Sequence, residues 1–398
     1  MVARPDSEPQ AGPPPYRSGP TPPDPGEVPA LAGAALTIDI GAIARNYRRV
    51  AMTAAPARTA AVVKADAYGL GLNQVAPALW AAGARLFFTA HPDEALALRE
   101  LLPDARIAVL NGLMPGAARL YAQSALIPVL NHPGDIAAWA EECRLRQTRL
   151  PAFIHLDTGM NRLGLSPGDQ AALAQAPQDL DRMHLLAWMT HLTAADDITD
   201  PSAENQLRTL NDSLARLPLA PVSIANSPGV FRDPAFRGDL VRPGCALYGV
   251  NPRPGRASPV EPVIRLDAKV LQIRDIGPGE AVGYGGSYVA ERPLRIATLA
   301  IGYADGYMRH LSNSGVCILD GYHLPVVGRI SMDLTTVDIS ALPQSRLAPG
   351  DMVTVIGPGV DVDAVANACG TIGYEVLTAL GHRYHRIYRD TGINETQA

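Results

Sequence analysis

The chain has 398 residues, of which 47% are hydrophobic, and it carries a net charge of −5 with a pI near 6.0. This length predicts two domains, or one barrel with an appended domain, and nothing in the charge or in the apolar runs suggests a nucleic acid or a membrane as partner. Four scattered cysteines predict reduced thiols in a cytoplasmic protein without disulfides, and the nine histidines show no metal-binding spacing.

Residues 1–33 are the first predicted segment, and they are rich in proline with almost no apolar content. Such a chain cannot bury enough surface to offset its ordering entropy, so we predict a disordered tail or an overlong start of the chain. The segment lacks the apolar core of a signal peptide. A proline-rich docking ligand is the alternative.

Short apolar runs alternate with helical patterns from about residue 36, at the spacing of roughly 25 residues that is typical of βα units. Plausible helices between the runs are Asp93–Leu102, Gly134–Arg146 and Asn205–Arg216. Eight such units predict a (β/α)8 barrel over residues 36–258, with a doubly wound sheet as the alternative. The candidate strands are Ala61–Lys64, Leu86–Thr89, Ile107–Leu110, Leu126–Leu130, Phe153–Leu156, Leu185–His191, Val222–Ala225 and Leu240–Arg242.

Alternating apolar patterns separated by glycine and proline turns begin after about residue 260. They predict a mostly β domain over residues 259–392, and the prolines between Asn251 and Pro262 place the domain boundary. The candidate strands of this domain are Ile264–Ile273, Leu294–Ile301, Val316–Leu319 and Met352–Ile356.

Lys64 ends the first apolar run of the predicted barrel and is followed at once by a glycine-rich turn. A desolvated amine at the end of a buried strand loses its proton readily and can form a Schiff base, so Lys64 is a candidate anchor for pyridoxal phosphate. A surface lysine at a strand end is the simpler alternative. Because barrel active sites lie where strands end, the polar residues after the other strands are expected in the same pocket. They are Asp157, Arg162, His191, Asn226, Ser227, Arg242 and Gly244.

Eight motifs in the range 36–390, taken together, resemble the alanine racemases, which are pyridoxal phosphate enzymes built from a barrel and a β domain. The motifs are AVVKADAYGLG, HLDTGMNRLGL, IANSPG, LVRPGCALYG, VGYGGSY, AIGYADGY, VGRISMDL and TIGYEVLTALG. The resemblance implies a TIM-like barrel followed by a C-terminal β domain. It also implies an isomerase that interconverts L-alanine and D-alanine with pyridoxal 5'-phosphate as cofactor and no metal, supplying D-alanine for peptidoglycan.

The resemblance also implies a role for each cofactor-binding residue. Lys64 would be the Schiff-base lysine and one of two catalytic bases, and Arg162 would bond the phenolic oxygen of the cofactor and help to orient the substrate carboxylate. His191 would lie against the pyridine ring, whose nitrogen would pair with Arg242. An arginine keeps its proton, so the ring would stay neutral and be a weaker electron sink. The residues implied at the phosphate are Tyr68, Asn226, Ser227, Gly244 and Tyr374.

Tyr284 in the VGYGGSY motif is implied as the second base, acting on the opposite face of the substrate. It belongs to the predicted β domain, whereas Lys64 belongs to the barrel, and in the family this tyrosine and Met332 reach the pocket from the other subunit. The Met332 backbone N–H would receive the substrate carboxylate, and Tyr303 would line the substrate entry route. A homodimer with shared active sites is therefore implied.

Three positions depart from the family pattern. His155 stands where many members carry a lysine that is often carbamylated, so either His155 or a bound anion would have to orient Arg162. Ser331 replaces a cysteine and Met189 replaces a tyrosine that other members carry, which could alter the substrate range. The alternatives to a strict alanine racemase are a broader-specificity or serine racemase, a decarboxylase of the same fold, and a non-catalytic pyridoxal phosphate carrier.

Overall fold

The computed structural model describes residues 19–24 and 26–391. Residues 1–18 of the predicted tail lie outside the described residues. The strands are β1 Ala34–Asp39, β2 Arg58–Thr59, β3 Ala61–Val62, β4 Leu86–Thr89, β5 Arg106–Val109, β6 Leu126–Leu130, β7 Pro151–His155, β8 His184–Met189, β9 Val222–Ser223, β10 Leu240–Val241, β11 Ile264–Ile276, β12 Ala281–Val282, β13 Tyr288–Val289, β14 Leu294–Leu299, β15 Val316–Leu319, β16 Tyr322–Pro325, β17 Thr335–Asp338, β18 Met352–Ile356 and β19 His385–Arg389.

Most of the helices lie in the N-terminal part of the chain. They are α1 Ile40–Ala54, α2 Leu72–Ala81, α3 Pro92–Leu101, α4 Ala118–Gln123, α5 Pro133–Arg146, α6 Pro167–Gln175, α7 Ser202–Leu214, α8 Ser227–Arg232, α9 Val362–Cys369 and α10 Gly373–Ala379. Short 3-10 helices span Pro177–Arg182, Pro234–Phe236, Cys245–Tyr248, Tyr284–Gly286, Tyr303–Asp305 and Arg309–Leu311. No helix among the described residues is long and apolar enough to cross a bilayer.

Strands β2 to β10 form one parallel sheet that closes into a barrel. Both β2 and β3 belong to the first barrel strand, because the Ala60 N–H that separates them donates to the Val241 carbonyl at 3.0 Å. The pair β2–β10 closes the barrel on one side, and β3–β4 continues it on the other. The strands are buried on both faces, which explains why the sequence shows them as continuous apolar runs. The predicted barrel with a following β domain is confirmed.

The helices around the barrel begin at residues suited to capping. Asp39 accepts a hydrogen bond from the Ala42 N–H at 2.8 Å and so caps α1. At the start of α6, Ser166 and Asp169 satisfy each other's backbone N–H groups in a capping box. In α3, Pro92 occupies the first turn and Glu94 accepts from the backbone at the helix start. These caps fix where each helix leaves the strand before it.

The C-terminal sheet is mixed and is organised by the long strand β11, which pairs with β1, β18 and β14. Strand β1 lies between β11 and β19, with Ala34 opposite Ala268 and Ala35 opposite His385. The chain therefore begins in the C-terminal sheet before it enters the barrel. The predicted barrel range started at residue 36 and thus included residues of this strand, because the pairing partners of β1 lie more than two hundred positions further along the sequence.

Several of residues 19–24 and 26–33 of the predicted tail contact this C-terminal sheet. Arg389 on β19 donates to the Thr21 carbonyl at 3.3 Å and forms an ion pair with Glu27. Lys269 on β11 donates to the Ala30 carbonyl at 2.8 Å. This part of the segment thus has defined contacts, which its proline-rich composition did not indicate.

Candidate active site

Lys64 lies where β3 ends, at the start of a left-handed turn formed by Lys64–Tyr68. Ala65, Asp66, Ala67 and Tyr68 all have φ between 52° and 57°. None of these residues is glycine, and each L-residue in this region loses about 1–2 kcal/mol relative to the right-handed conformation. Such a turn persists only where its surroundings determine it. The turn directs the lysine side chain into the cavity at the carboxyl ends of the barrel strands.

The cavity has a volume of about 450 Å³ and contains all nine residues that the resemblance assigns to the cofactor. The lining residues are Val62, Lys64, Tyr68, Ala90, Leu110, Asn111, His155, Arg162, Leu163, Met189, His191, Asn226, Ser227, Arg242, Gly244, Cys245 and Tyr374. Within the described part of the chain, this lining includes two arginines and a lysine but no aspartate or glutamate. The cavity is therefore built for an anionic ligand.

Burial lowers the pKa of Lys64, and the nearby Arg162 guanidinium lowers it further, while Glu94 acts in the opposite direction. Both desolvation and a neighbouring cation disfavour the ammonium form. The neutral amine is the form that attacks a carbonyl group. The environment of Lys64 thus favours a nucleophilic or basic role.

Arg242 directly follows β10. Its side chain is a buried cation, with an exposed fraction of 4%. Its guanidinium donates to the Ser223 hydroxyl and to the carbonyl oxygens of Thr190 and Ile224, the first carbonyl at 2.6 Å. Among the described residues it has no carboxylate partner. Burial lowers its pKa to about 9, which leaves it protonated at neutral pH. Neutral acceptors therefore orient this cation towards the cavity without cancelling its charge.

His191 follows β8, and it remains neutral in this environment. Burial lowers its pKa to about 3, and the cations Arg242 and Arg162 contribute to the shift. Its backbone carbonyl accepts a hydrogen bond from Gln206 at 2.8 Å, which fixes the chain at the end of the strand. A neutral imidazole presents a flat apolar face to a ring beside it.

His155, at the end of β7, is also neutral. The hydrogen bond between its ring and the Asn131 side chain determines which ring nitrogen carries the proton. The Asn131 amide nitrogen donates to the carbonyls of Leu110 and Val129, so its oxygen faces His155 Nδ1 at 2.8 Å. The proton must then lie on Nδ1, which leaves Nε2 as an acceptor. Burial, aided by Arg242, lowers the pKa of His155 to about 4. This neutral acceptor lines the cavity together with Arg162.

Arg162 lies on an exposed loop that Asp157 shapes. Asp157 Oδ1 accepts from the backbone N–H groups of Gly159 and Met160, each at 2.9 Å. The Arg162 guanidinium has no hydrogen bond or ion pair among residues 19–24 and 26–391. It is a cation at the cavity wall whose donors are free for a ligand.

Small residues and aromatic rings also line the cavity. Ser227 begins α8, and its hydroxyl accepts from the Gly244 N–H at 2.9 Å. Tyr68 stacks on Tyr248 with ring centroids 4.6 Å apart, and Tyr374 lies 6.2 Å from Tyr68. Burial raises the pKa of Tyr68 well above its usual value, so its hydroxyl stays protonated and can donate. A Cβ on Gly244 would approach the Tyr68 hydroxyl to 2.1 Å.

Three residues predicted at the site lie outside the cavity, on the surface of the C-terminal domain. The exposed fractions are 72% for Tyr284, 42% for Tyr303 and 54% for Met332. Tyr303 and Met332 are neighbours, because the Tyr303 N–H donates to the Ser331 carbonyl and the Ala304 N–H to the Met332 carbonyl. The Tyr284 carbonyl accepts from Arg329 at 3.4 Å, which ties the VGYGGSY loop to the same region. A single chain does not bring these residues to Lys64.

The sequence reasoning missed several cavity residues. Ala90 and Asn111 follow β4 and β5, so the rule that sites lie after barrel strands would have found them. Cys245 and Leu163 also line the cavity, next to Gly244 and Arg162 in the quoted motifs, but neither side chain by itself indicates a cofactor site. Asn131 was missed because its role depends on a contact with His155, 24 positions away.

Comparison with known proteins gives the family. The family model for the N-terminal domain of alanine racemase matches residues 38–252, and the model for the C-terminal domain matches residues 263–388. The chain belongs to the alanine racemase family. The predicted resemblance is thus confirmed.

Two curated relatives share nearly half of their residues with this member of the alanine racemase family. An alanine racemase from Methylobacterium sp. (strain 4-46) is 48% identical over 358 residues, which cover 90% of this chain and 98% of the relative. One from Brucella suis biovar 1 is 45% identical, covering 90% and 94%. The likeness extends over nearly the whole of each relative.

Two solved structures of alanine racemases have similar folds. The alanine racemase from Bartonella henselae, solved with covalently bound pyridoxal phosphate, has a TM-score of 0.87 and 43% identity, covering 90% of this chain and all of that one. The biosynthetic enzyme from Pseudomonas aeruginosa has a TM-score of 0.84 and 35% identity, with the same coverage.

Proposed function

We propose that this protein is a pyridoxal phosphate-dependent alanine racemase that interconverts L-alanine and D-alanine. The family membership and the names of the relatives support this activity. The observation that carries the proposal is the composition of the cavity. Its described lining contains a lysine of lowered pKa and two arginines, and no carboxylate. Such a cavity suits a cofactor with a phosphate and a phenolic oxygen, and a substrate with a carboxylate.

The residues present fit pyridoxal phosphate. Lys64 would hold it covalently, and Arg162 would bond its phenolic oxygen. Arg242 would donate to its ring nitrogen, and His191 would lie against the ring. When bound, the cofactor supplies the electron sink that makes the α-proton of an amino acid acidic. The residues that would hold its phosphate are Tyr68, Asn226, Ser227, Gly244 and Tyr374.

Arg242 bears on which reaction follows. Because its donors are held by carbonyl oxygens and a hydroxyl, it remains protonated and cannot transfer its proton to a ring nitrogen. A neutral ring is the weaker electron sink, which favours return of a proton to the same carbon over transamination. A decarboxylase would want a carboxylate at this position.

Inversion at the α-carbon needs a base on each side of it. Lys64 is the base on the D-face, and Tyr284 from a second copy of the chain is the base on the L-face. The exposed Tyr284, Tyr303 and Met332 on one domain surface support a homodimer, since a partner would cover them. The Met332 N–H, which has no partner among the described residues, would receive the substrate carboxylate.

The activity supplies D-alanine for peptidoglycan, and we place the enzyme in the cytoplasm. Four cysteines without a disulfide among them support a reducing compartment.

The test of the activity is racemisation of single amino acids by the purified protein with added pyridoxal phosphate, followed by chiral chromatography. Conversion of alanine far above serine and larger amino acids is expected. Comparable rates on several amino acids would instead show a broad-specificity racemase. Cofactor binding without any turnover would show a carrier protein and refute the proposal.

Two variants test the assigned bases. Lys64→Ala should abolish the visible absorbance of the covalently held cofactor, and a protein that remains yellow after dialysis would disprove the anchor. Tyr284→Phe should keep that absorbance and lose most racemisation, with different isotope effects in the two directions. Near-normal rates in both directions would rule out Tyr284 as a base.

A further inference from the structure

The left-handed turn Lys64–Tyr68 is fixed on both sides of the lysine. On the N-terminal side, the Val63 N–H donates to the Phe88 carbonyl on β4 at 2.9 Å. On the C-terminal side, the Ala65 N–H donates to Glu94 Oε1 at 2.6 Å. The acceptor of the second bond, the Glu94 side chain, belongs to a residue 29 positions further along the chain. The backbone of Lys64 is thus bracketed by one strand contact and one carboxylate.

Glu94 is itself held in place at the start of α3. Its other oxygen, Oε2, accepts from the N–H groups of Ala90 at 2.8 Å and His91 at 3.1 Å. These two bonds are sufficient for an N-terminal cap, so the bond from Oε1 to Ala65 is additional to capping. A carboxylate that accepts three backbone N–H groups is rigid, and each bond is charge-assisted. Glu94 therefore transmits the position of a barrel helix to the lysine turn.

Other side-chain contacts hold the later part of the turn, and at Ala65 the carbonyl accepts from the Gly69 N–H at 2.7 Å within the turn. Leu72 N–H donates to Asp66 Oδ1 at 2.6 Å, and Arg386 on β19 donates to the Gly69 carbonyl at 2.8 Å. Among the described residues, Glu94 makes the one side-chain hydrogen bond to the backbone of the residue directly after Lys64. It acts at the place where the chain changes from strand to left-handed conformation.

We propose that Glu94 is a positioning residue for Lys64, because its carboxylate fixes the backbone at Ala65 and so aims the lysine amine at the reacting carbon. The proposal rests on the proposed function, in which Lys64 is the base for D-alanine. Glu94 does not line the cavity; besides its electrostatic effect on the Lys64 amine, it acts through the turn by its bond to the Ala65 N–H. Its loss would displace the amine without removing it, which slows proton transfer by misplacement.

The matched pair of variants is Glu94→Gln and Asp169→Asn. Glutamine has the same length, and with its oxygen on the Ala90 and His91 N–H groups its amide would place a donor against the Ala65 N–H. Asp169 is the equivalent capping-box residue of α6; it accepts from the Ser166 N–H at 3.1 Å and does not line the cavity. Both variants weaken a helix cap, but only the first affects the lysine turn.

Glu94→Gln holoenzyme should keep the visible absorbance of the Lys64-bound cofactor and lose about tenfold or more in kcat, the size expected when a catalytic amine is displaced by a fraction of an ångström. The α-deuterium isotope effect should rise for D-alanine, from which Lys64 takes the proton, and not for L-alanine. Asp169→Asn should lower the melting temperature slightly and leave the kinetic values unchanged.

Normal kinetics in Glu94→Gln would overturn the proposal. An equal loss of kcat in Glu94→Gln and Asp169→Asn, with unchanged isotope effects, would overturn it as well. If Glu94→Gln is unstable, Glu94→Asp decides, because the shorter carboxylate keeps its charge and cannot span both Ala65 and the start of α3. Normal isotope effects in that variant would also overturn it. Failure of the proposed function is seen separately, as wild-type protein without racemase activity or a Lys64→Ala variant that keeps its absorbance.

Discussion

Gly244→Ala is the substitution whose effect the structure predicts most directly. A methyl group at this position would lie 2.1 Å from the Tyr68 hydroxyl and 2.9 Å from the ring carbon that bears it. The hydroxyl would have to move by roughly 1 Å to reach an ordinary contact. Tyr68 has little room for this, because it is 6% exposed and stacked on Tyr248, whose own hydroxyl donates to the Val62 carbonyl at 2.8 Å.

The size of the effect follows from two contributions. Overpacking a buried site lowers the free energy of unfolding by about 1–3 kcal/mol. Displacing the Tyr68 hydroxyl would also remove the hydrogen bond to the cofactor phosphate that we propose for it, and a bond to a charged group contributes about 1.5–3 kcal/mol. The dissociation constant of pyridoxal phosphate should therefore rise by about ten- to a hundredfold.

The assay is titration of the apoprotein with pyridoxal phosphate, combined with urea unfolding of the same samples. Tyr68→Phe is the matched background, since it removes the atom that the new methyl group would meet at 2.1 Å. In that background the ring carbon at 2.9 Å remains as a weaker clash, so Gly244→Ala should weaken cofactor binding by a smaller amount, about 1 kcal/mol. An equal loss in both backgrounds would show that the Tyr68 hydroxyl is not the obstacle, and the reasoning would be refuted.

Two further predictions concern His155, which lines the cavity, and Tyr248, which packs behind Tyr68. The folded-state pKa of His155 is about 4, below the usual value near 6.5, so the unfolded chain binds the extra proton as the pH falls. Stability should be fully present above pH 7 and decrease by about 2 kcal/mol by pH 5, and urea unfolding of His155→Gln should lack that part of the pH dependence. Tyr248→Phe should lower the free energy of unfolding by about 1 kcal/mol, because the hydrogen bond to the Val62 carbonyl is lost. An unchanged pH profile in the first case, or unchanged urea midpoints in the second, would contradict these assignments.

The barrel could be predicted from the sequence because each of its strands is buried on both faces and leaves an apolar run of the right length. The pairing of β1 could not, since Ala34 meets Ala268 and a single sequence holds no record of contacts at that separation. The same limit hid Asn131 beside His155. Apolar patterns along the chain predict individual helices and strands, whereas the pairing of strands depends on the whole fold.

The turn after Lys64 shows a different limit. Its glycines, Gly69 and Gly71, predict a turn, but the left-handed residues are the four before Gly69, two of which are alanines. Local preference disfavours this conformation, so only the surrounding contacts explain it. Glu94 was accordingly invisible in the sequence, where it has the pattern of an ordinary helix start. Strain of this kind concentrates at functional sites, which fits the position of Lys64.

The separation of Lys64 from Tyr284 leads to a prediction about assembly. Lys64 faces a cavity within the barrel, whereas Tyr284 is 72% exposed on the C-terminal domain. If a partner supplies the tyrosine, each site combines Lys64 of one chain with Tyr284 of the other. Lys64→Ala and Tyr284→Phe proteins, each inactive alone, should then regain activity when they are mixed.

The size of this recovery is fixed by symmetry. In a mixed dimer, one site receives both substitutions and the other receives neither, so random exchange of equal amounts should restore about a quarter of the wild-type activity. The experiment requires partial unfolding and refolding of the mixture, with each variant treated alone as the control. Mixtures that remain inactive although size-exclusion chromatography shows exchanged dimers would mean that Lys64 and Tyr284 act within one chain or not together, and the shared site would have to be abandoned.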